Sequence, residues 1–246
     1  MKLYFYAFAM CQSMFCSIPF PCHVWEEKAR SKMLLFLPVI GLEIGFLWAG
    51  LGWLSRYFSL STPIGALGMT VLPYLLTGFI HLDGFMDVTD AVGSCRDLQK
   101  RREILKDSHV GSFAVIGIVL LMLSMFALFA GIRPETNLWT LLLVPAVSRC
   151  CGGLAVLVLP TMTTSQYHNQ EKNKGQIVFM SLVLAALLAL GFGLFRKYGL
   201  VLIGCCLGYG LALMKGYRSL EGMNGDISGF SITVGELAAV LTLALL

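Results

Sequence analysis

Apolar residues run along this chain in blocks of bilayer length rather than in the alternating or one-faced patterns of soluble elements. Blocks at 33–54, 63–80, 112–131, 138–159, 176–195, 199–214 and 231–246 approach the roughly 20 apolar residues that a helix needs to cross a bilayer. Strands that alternate apolar and polar positions are absent, which argues against an outer-membrane barrel. In lipid every backbone N–H and C=O must be satisfied internally, so helices are the remaining solution. The pattern therefore predicts an all-α fold, a polytopic integral membrane bundle of about seven transmembrane helices. It forms a single membrane-embedded domain over 1–246. Residues 1–23 have a faint signal-peptide look: Lys2, then Tyr4, Phe5, Tyr6 and Phe8. Pro19, Pro21 and Trp25 follow without a cleavage pattern, so an interfacial helix or re-entrant segment fits better.

Composition sharpens this picture. Hydrophobic residues make up 57% of the 246, charged residues 13%, and mean hydropathy is +0.77. A water-soluble globule of this size cannot hide so much apolar surface. A disordered chain, a collagen, a coiled coil and a nucleic-acid binder are excluded on the same ground. The net charge of +4 is small; its distribution matters more. With a cytoplasmic N-terminus, Arg56, Arg133, Arg196 and Lys197 fall outside, Arg149 lies within a span, and the other 13 of the 18 Lys and Arg, Lys172 among them, fall inside. Positive residues favour the cytoplasm, so this split orients the bundle. The eight cysteines lack metal-site spacing and read as small apolar fillers.

The acids concentrate the chemistry. Of 14 Asp and Glu, segment 81–111 holds six: Asp83, Asp87, Asp90, Asp97, Glu103 and Asp107. This is the longest cytoplasmic segment in the predicted topology, an Asp-rich loop or helix. The run His81-Leu82-Asp83-Gly84-Phe85-Met86-Asp87-Val88-Thr89-Asp90 places three aspartates at i, i+4 and i+7. On a helix they share one face, about a turn apart. Like charges so close repel, and a divalent cation removes that penalty. Hard oxygen donors suit Mg²⁺, with Mn²⁺ as the substitute, and Mg²⁺ commonly takes one or two carboxylates plus substrate phosphates. The nearby Arg96, Arg101, Arg102 and Lys106 supply cations for the remaining phosphate oxygens. A solvated acidic helix end is the plainer alternative. Taken alone, the cluster points to a metal and a diphosphate at a membrane; prenyltransferases, CDP-alcohol phosphotransferases and some transporters also carry such helices.

Further along, Asp107 in Lys106-Asp107-Ser108-His109 suits either a cap on the next span or a site role. Near the C-terminus, segment 216–230 reads as a second cytoplasmic site loop. Its Gly222-Met223-Asn224-Gly225-Asp226-Ile227-Ser228-Gly229 lets backbone approach a ligand and brings Asp226 to the same side as the triad, with a plain turn as the alternative. Within the spans, Arg149 and Glu43 are costly in lipid and need partners, and a bridge between the two is one option. Gly41 and Gly45 around Glu43 read as a helix-packing pair.

These residues resemble the adenosylcobinamide-GDP ribazoletransferase family, also called cobamide 5'-phosphate synthases. The resemblance is carried by His81-Leu82-Asp83-Gly84 with Asp87 and Asp90, by Arg102-Glu103-Ile104-Leu105-Lys106-Asp107-Ser108 with Gly111, and by Gly225-Asp226 with Gly229 and Glu236. Ser17-Ile18-Pro19-Phe20-Pro21, Pro38, Gly41, Gly45 and Ser148-Arg149 extend it over most of the chain. The chain departs from the family pattern at Ala91, where glycine is common, at His109, where arginine is frequent, and at Glu43, Asn224 and Phe230.

The resemblance implies a multi-pass enzyme of the bacterial or archaeal cytoplasmic membrane with its active site on the cytoplasmic face. It implies joining of adenosylcobinamide-GDP to α-ribazole or α-ribazole 5'-phosphate with release of GMP, dependent on Mg²⁺. Expected metal ligands are Asp83, Asp87, Asp90 and Asp226. Substrate contacts are expected from Arg96, Arg101, Arg102, Lys106, Asp107, Ser108, Arg149 and Asn224. The general base is either His81 or a carboxylate of the triad, and an interfacial histidine is the plain reading of His81. Expected partners are the two substrates and the lipid bilayer, without nucleic acid; a homo-oligomer and contacts with other late corrinoid-pathway enzymes complete the list.

Overall fold

The computed structural model describes residues 2–163, 165 and 173–246, whose regular structure is helical apart from one isolated β-bridge between Thr161 and Met223. In chain order the helices are α1 (Lys2–Phe15), α2 (Glu27–Met33), α3 (Leu37–Tyr57), α4 (Thr62–Leu76), α5 (Ile80–Gly93), α6 (Leu98–Ile104), α7 (Ser112–Gly131), α8 (Val144–Val158), α9 (Lys174–Phe195), α10 (Leu200–Leu220) and α11 (Gly225–Leu245). By length and hydropathy, five helical stretches qualify to cross a membrane, or six when the bent pair α4–α5 counts as one. One of the five, 174–220, contains both α9 and α10. The chain turns at Arg196, whose φ is 52°, and Leu202 comes back against Gly191. In one straight helix those two residues would be about 16 Å apart. Each expected segment except 63–80 thus falls on one helical leg.

Two boundaries differ from expectation in ways that matter. The apolar block 63–80 is not one helix: α4 ends at Leu76, and Gly78 (φ 57°) and Phe79 (φ 65°) take left-handed conformations. Such φ values end a right-handed helix. Helix α5 then leaves at 93° to α4. The last span begins at Gly225 rather than 231, so the expected loop 216–230 is the end of α10, a four-residue connection and the first turns of α11.

Glycine faces set the packing. A Cβ on Gly41 or Gly45 would collide with the backbone of Pro145–Ala146 or Leu142, which bears out that pair as the seam between α3 and the start of α8. Trp48 is fully buried and its Nε1 donates to Met69 O at 2.7 Å, tying α3 to α4. Outward positions on α7 and α9, such as Leu120, Leu123, Leu182 and Leu194, stay exposed and apolar, as a lipid-facing surface requires. Helix α1 docks on α2 and α3 through Ala7, Met10 and Cys11, too short at 14 residues to cross by itself. Ser17 caps the end of α4, with its N–H on Leu76 O and its Oγ on Leu75 O.

Three of the four basic residues expected on one side meet backbone carbonyls or each other's loop. Arg56 donates to Thr136 O and Arg133 O at one end, where Lys197 also meets Leu246 O. At the other end lie α5, α6 and the α10–α11 connection. Lys172 lies outside the described residues. The eight cysteines are free thiols.

Candidate active site

Helix α5 is two-faced. Phe85, Val88 and Ala91 are buried, while Asp83 is exposed and Asp87 and Asp90 are half-buried on the other side. The i, i+4, i+7 spacing thus does put the three acids on one face. The buried face crosses α11 at two glycines. A Cβ on Gly84 would stand 2.8 Å from Asp226 O, and one on Gly229 would stand 3.1 Å from His81 O. The crossing brings Asp226 to the triad: Asp83, Asp90 and Asp226 all act electrostatically on Asp87. Asn224 aims Asp226. It caps α11 by accepting from Ile227 N at 2.9 Å, and its Nδ2 donates to Asp226 Oδ2 at 2.6 Å.

Three cavities meet at Asp83. One of about 320 Å³ is polar, lined by Asp83, Asp87, Asp90, Lys106, Ser108 and His109. A second of about 140 Å³ is mostly apolar and reaches inward between α1, α8 and α11, with Asp226 beside Asp83 at its rim. A third of about 470 Å³ opens along Ser13, Ser17 and Thr77 to Ile80.

The basic residues divide. Lys106 is exposed and lines the polar cavity. Arg101 and Arg102 are spent elsewhere: Arg101 donates to Ser219 O, and Arg102 to Leu220 O and Glu221 O at 3.0 and 2.9 Å. They close the carbonyl end of α10, where a cation is favoured. Arg96 is exposed, outside the residues lining any of the three cavities.

Asp107 does not cap α7. It pairs with His109, 2.7 Å from Nδ1 and 3.0 Å from the backbone N, and this contact holds the histidine pKa above its ordinary value and the carboxyl below. The cap position of α7 is Gly111, and the acid reaching that helix start is Asp90, whose Oδ1 accepts from Ala114 N at 3.4 Å. The Asp90 carboxylate fills the space a side chain at Gly111 would take.

Arg149 is buried in the bundle. Its Nη1 donates to Glu236 Oε1 at 2.6 Å, and Ser148 Oγ donates to the same oxygen at 2.9 Å. Its partner is thus Glu236 and not Glu43. Sequence reasoning missed Glu236 as a structural acid; the signal was an ionisable residue within the last apolar block. The Nη2 of Arg149 lies 3.4 Å from His81 Nδ1. A guanidinium only donates, so Nδ1 accepts and Nε2 carries the ring proton. In this tautomer His81 offers a donor, which disfavours it as general base.

Among the described residues, no three or more His, Cys, Asp or Glu are drawn together closely enough to hold a metal ion by themselves. The donor set nevertheless fits a hard divalent cation of the Mg²⁺ type. It consists of carboxylates alone, with Asp83 exposed, and such ions need only one or two protein carboxylates when phosphate oxygens complete the shell.

A family model described as cobalamin-5-phosphate synthase matches residues 7–244. This chain belongs to that family. Among its relatives, an adenosylcobinamide-GDP ribazoletransferase of Clostridium perfringens strain SM101 is 34% identical, with both chains covered completely. One of Clostridium botulinum strain Alaska E43 is 32% identical over 100% of this chain and 99% of its own. One of Halalkalibacterium halodurans is 33% identical over 87% and 85%. No solved structure matches the chain.

Proposed function

We propose that this membrane protein joins adenosylcobinamide-GDP to α-ribazole or its 5'-phosphate, giving adenosylcobalamin or its 5'-phosphate and GMP. The carrying observation is the convergence of Asp83, Asp87 and Asp226 from two crossing helices beside a polar cavity with Lys106, in a chain of this family. The 3'-hydroxyl oxygen of ribazole attacks the phosphorus on the cobinamide side. The bond from that phosphorus to the bridging oxygen breaks, and GMP leaves with that oxygen.

Transfer of this kind asks a protein for positioning and charge stabilisation. One or two of the carboxylates Asp83, Asp87 and Asp226 would hold Mg²⁺, the substrate's phosphate oxygens completing its shell, and the ion when bound would offset charge on the diphosphate. Lys106 and the Asp107-held His109 would face its other oxygens. Asp90 anchors α5 to α7, fixing the angle at which the first two acids are presented. A carboxylate of the cluster takes the hydroxyl proton, because His81 already carries its own on Nε2. The positive-inside count supports a reading in which this end of the bundle faces the cytoplasm from a cytoplasmic membrane, where nucleotides reside.

The test is to incubate the detergent-solubilised protein with adenosylcobinamide-GDP, α-ribazole and Mg²⁺, with and without EDTA. GMP and a cobamide should form together and only with the metal. Folded protein that yields neither product overturns the reading.

A further inference from the structure

We propose that the mostly apolar cavity beside Asp83 seats the aromatic base of the ribazole substrate, and that His81 Nε2–H donates to the one acceptor nitrogen of that base. The proposal rests on the ribazoletransferase reading and goes beyond it by assigning the base a pocket and a recognition atom.

The cavity of about 140 Å³ is walled by Met14, Phe15, Leu34, Leu37, Val156 and Ile232. Dry apolar cavities of about 150 Å³ hold a benzene-sized guest, so this one takes the inner ring of a bicyclic base and leaves its sugar at the acidic rim. A corrin ring is too large for it. Guanine suits it poorly: it carries several donors and acceptors, and each left unpaired in an apolar site is costly. A benzimidazole riboside has only one free polar ring atom, the nitrogen opposite the glycosidic one, and that atom only accepts.

The cavity offers the matching group. His81 lines it, and its ring lies parallel to that of Phe15 (5° between planes, centroids 6.3 Å apart), giving flat walls for a planar base. Arg149 fixes the proton on Nε2 by occupying Nδ1, and Glu236 with Ser148 holds Arg149. Among the described residues Nε2 has no protein partner, and it is not among the sealed, unpaired polar atoms. Arg149 and Glu236 are then positioning residues. They set which histidine nitrogen carries hydrogen, and Asp83 and Asp226 at the rim receive the ribose hydroxyls.

The experiment compares GMP release with the α-ribosides of benzimidazole and of indole, which share a shape but differ in that one nitrogen. The parent protein should show a KM for the indole riboside roughly tenfold higher, the scale of one hydrogen bond. In His81→Phe the two KM values should converge. Val156→Phe, which fills the cavity without touching the donor, should raise KM for the benzimidazole riboside several-fold and leave that for adenosylcobinamide-GDP unchanged. A parent that treats the two ribosides alike overturns the proposal, as does discrimination retained in His81→Phe or an equal rise of both KM values in Val156→Phe. If His81→Phe does not fold, the riboside comparison in the parent and Val156→Phe decide. A parent that releases no GMP with either riboside brings down the ribazoletransferase reading and this assignment together, whereas GMP release without discrimination brings down the assignment alone.

Discussion

Gly84 meets the backbone of Asp226 so closely that an added Cβ would stand 2.8 Å from its carbonyl oxygen and 2.9 Å from its Cα. Two acids far apart in sequence share a site because one residue between them lacks a side chain. Gly84→Ala should push α5 off α11. Overpacking of this kind typically costs about 1–3 kcal/mol, and GMP release should fall further than the loss of folded protein explains. Gly50→Ala, which meets nothing within 4 Å, is the control and should be neutral or mildly stabilising. Thermal unfolding in detergent and turnover, measured on both, check this.

Asp83→Ala and Asp87→Ala should each lower turnover by at least about a hundredfold, the scale of losing one electrostatic contact to a transition state, while the protein stays in the membrane and folded. Near-normal turnover in both would remove the metal assignment.

Arg101 and Arg102 make a different case. Both were expected as diphosphate clamps, yet both bind carbonyls at the end of α10. Arg102→Ala should cost about 1–2 kcal/mol of stability through the lost cap and dipole contacts, with KM for adenosylcobinamide-GDP unchanged. Lys106→Ala should do the reverse. Parallel melting and initial-rate measurements separate the two roles.

The buried pair Arg149–Glu236 predicts a reversal of additivity. Removing one partner strands a buried charge, a loss of about 3–5 kcal/mol, whereas apolar replacement of both is often close to neutral. Arg149→Met and Glu236→Leu should each melt well below the parent, and the double variant above either single one. Thermal denaturation of all four proteins closes the cycle.

The pair Asp107–His109 gives a pH dependence. Hydrogen bonding to Asp107 raises the histidine pKa in the fold. Its contribution is therefore complete below the unfolded histidine value and disappears as pH rises through the folded one. Asp107 is shifted down by His109, so its share is present above the unfolded carboxylate value and lost as pH falls through the lowered one. The KM for adenosylcobinamide-GDP should climb as pH passes through the histidine titration, and Asp107→Asn should move that climb to lower pH. NMR titration of His109 in both proteins provides the check.

Much of this arrangement is legible in the amino-acid sequence. The i, i+4, i+7 aspartates share a face because helical geometry leaves no other outcome, and Gly41 with Gly45 marked a close seam. The break at 77–79 was hidden, because an apolar run looks the same whether it continues straight or turns at a left-handed glycine. The roles of Arg101, Arg102 and Asp90 were hidden for another reason. A charged residue near a site is equally suited to a ligand or to an exposed helix terminus, and only the arrival of α10 and α7 decides. Glu236 was visible as an acid in an apolar block; its partner required knowing which helices touch.

Asp83 and Asp226 are separated by more than half the chain, and they meet only where the last helix crosses α5. Emerging from a ribosome, this protein has its aspartate face, its basic segment and the α1 and α8 sides of its apolar cavity made long before Asp226 exists. The site is completed only when α11 packs against α5. A chain whose α11 has not yet docked on α5 thus lacks the Asp226 side of the acidic cluster.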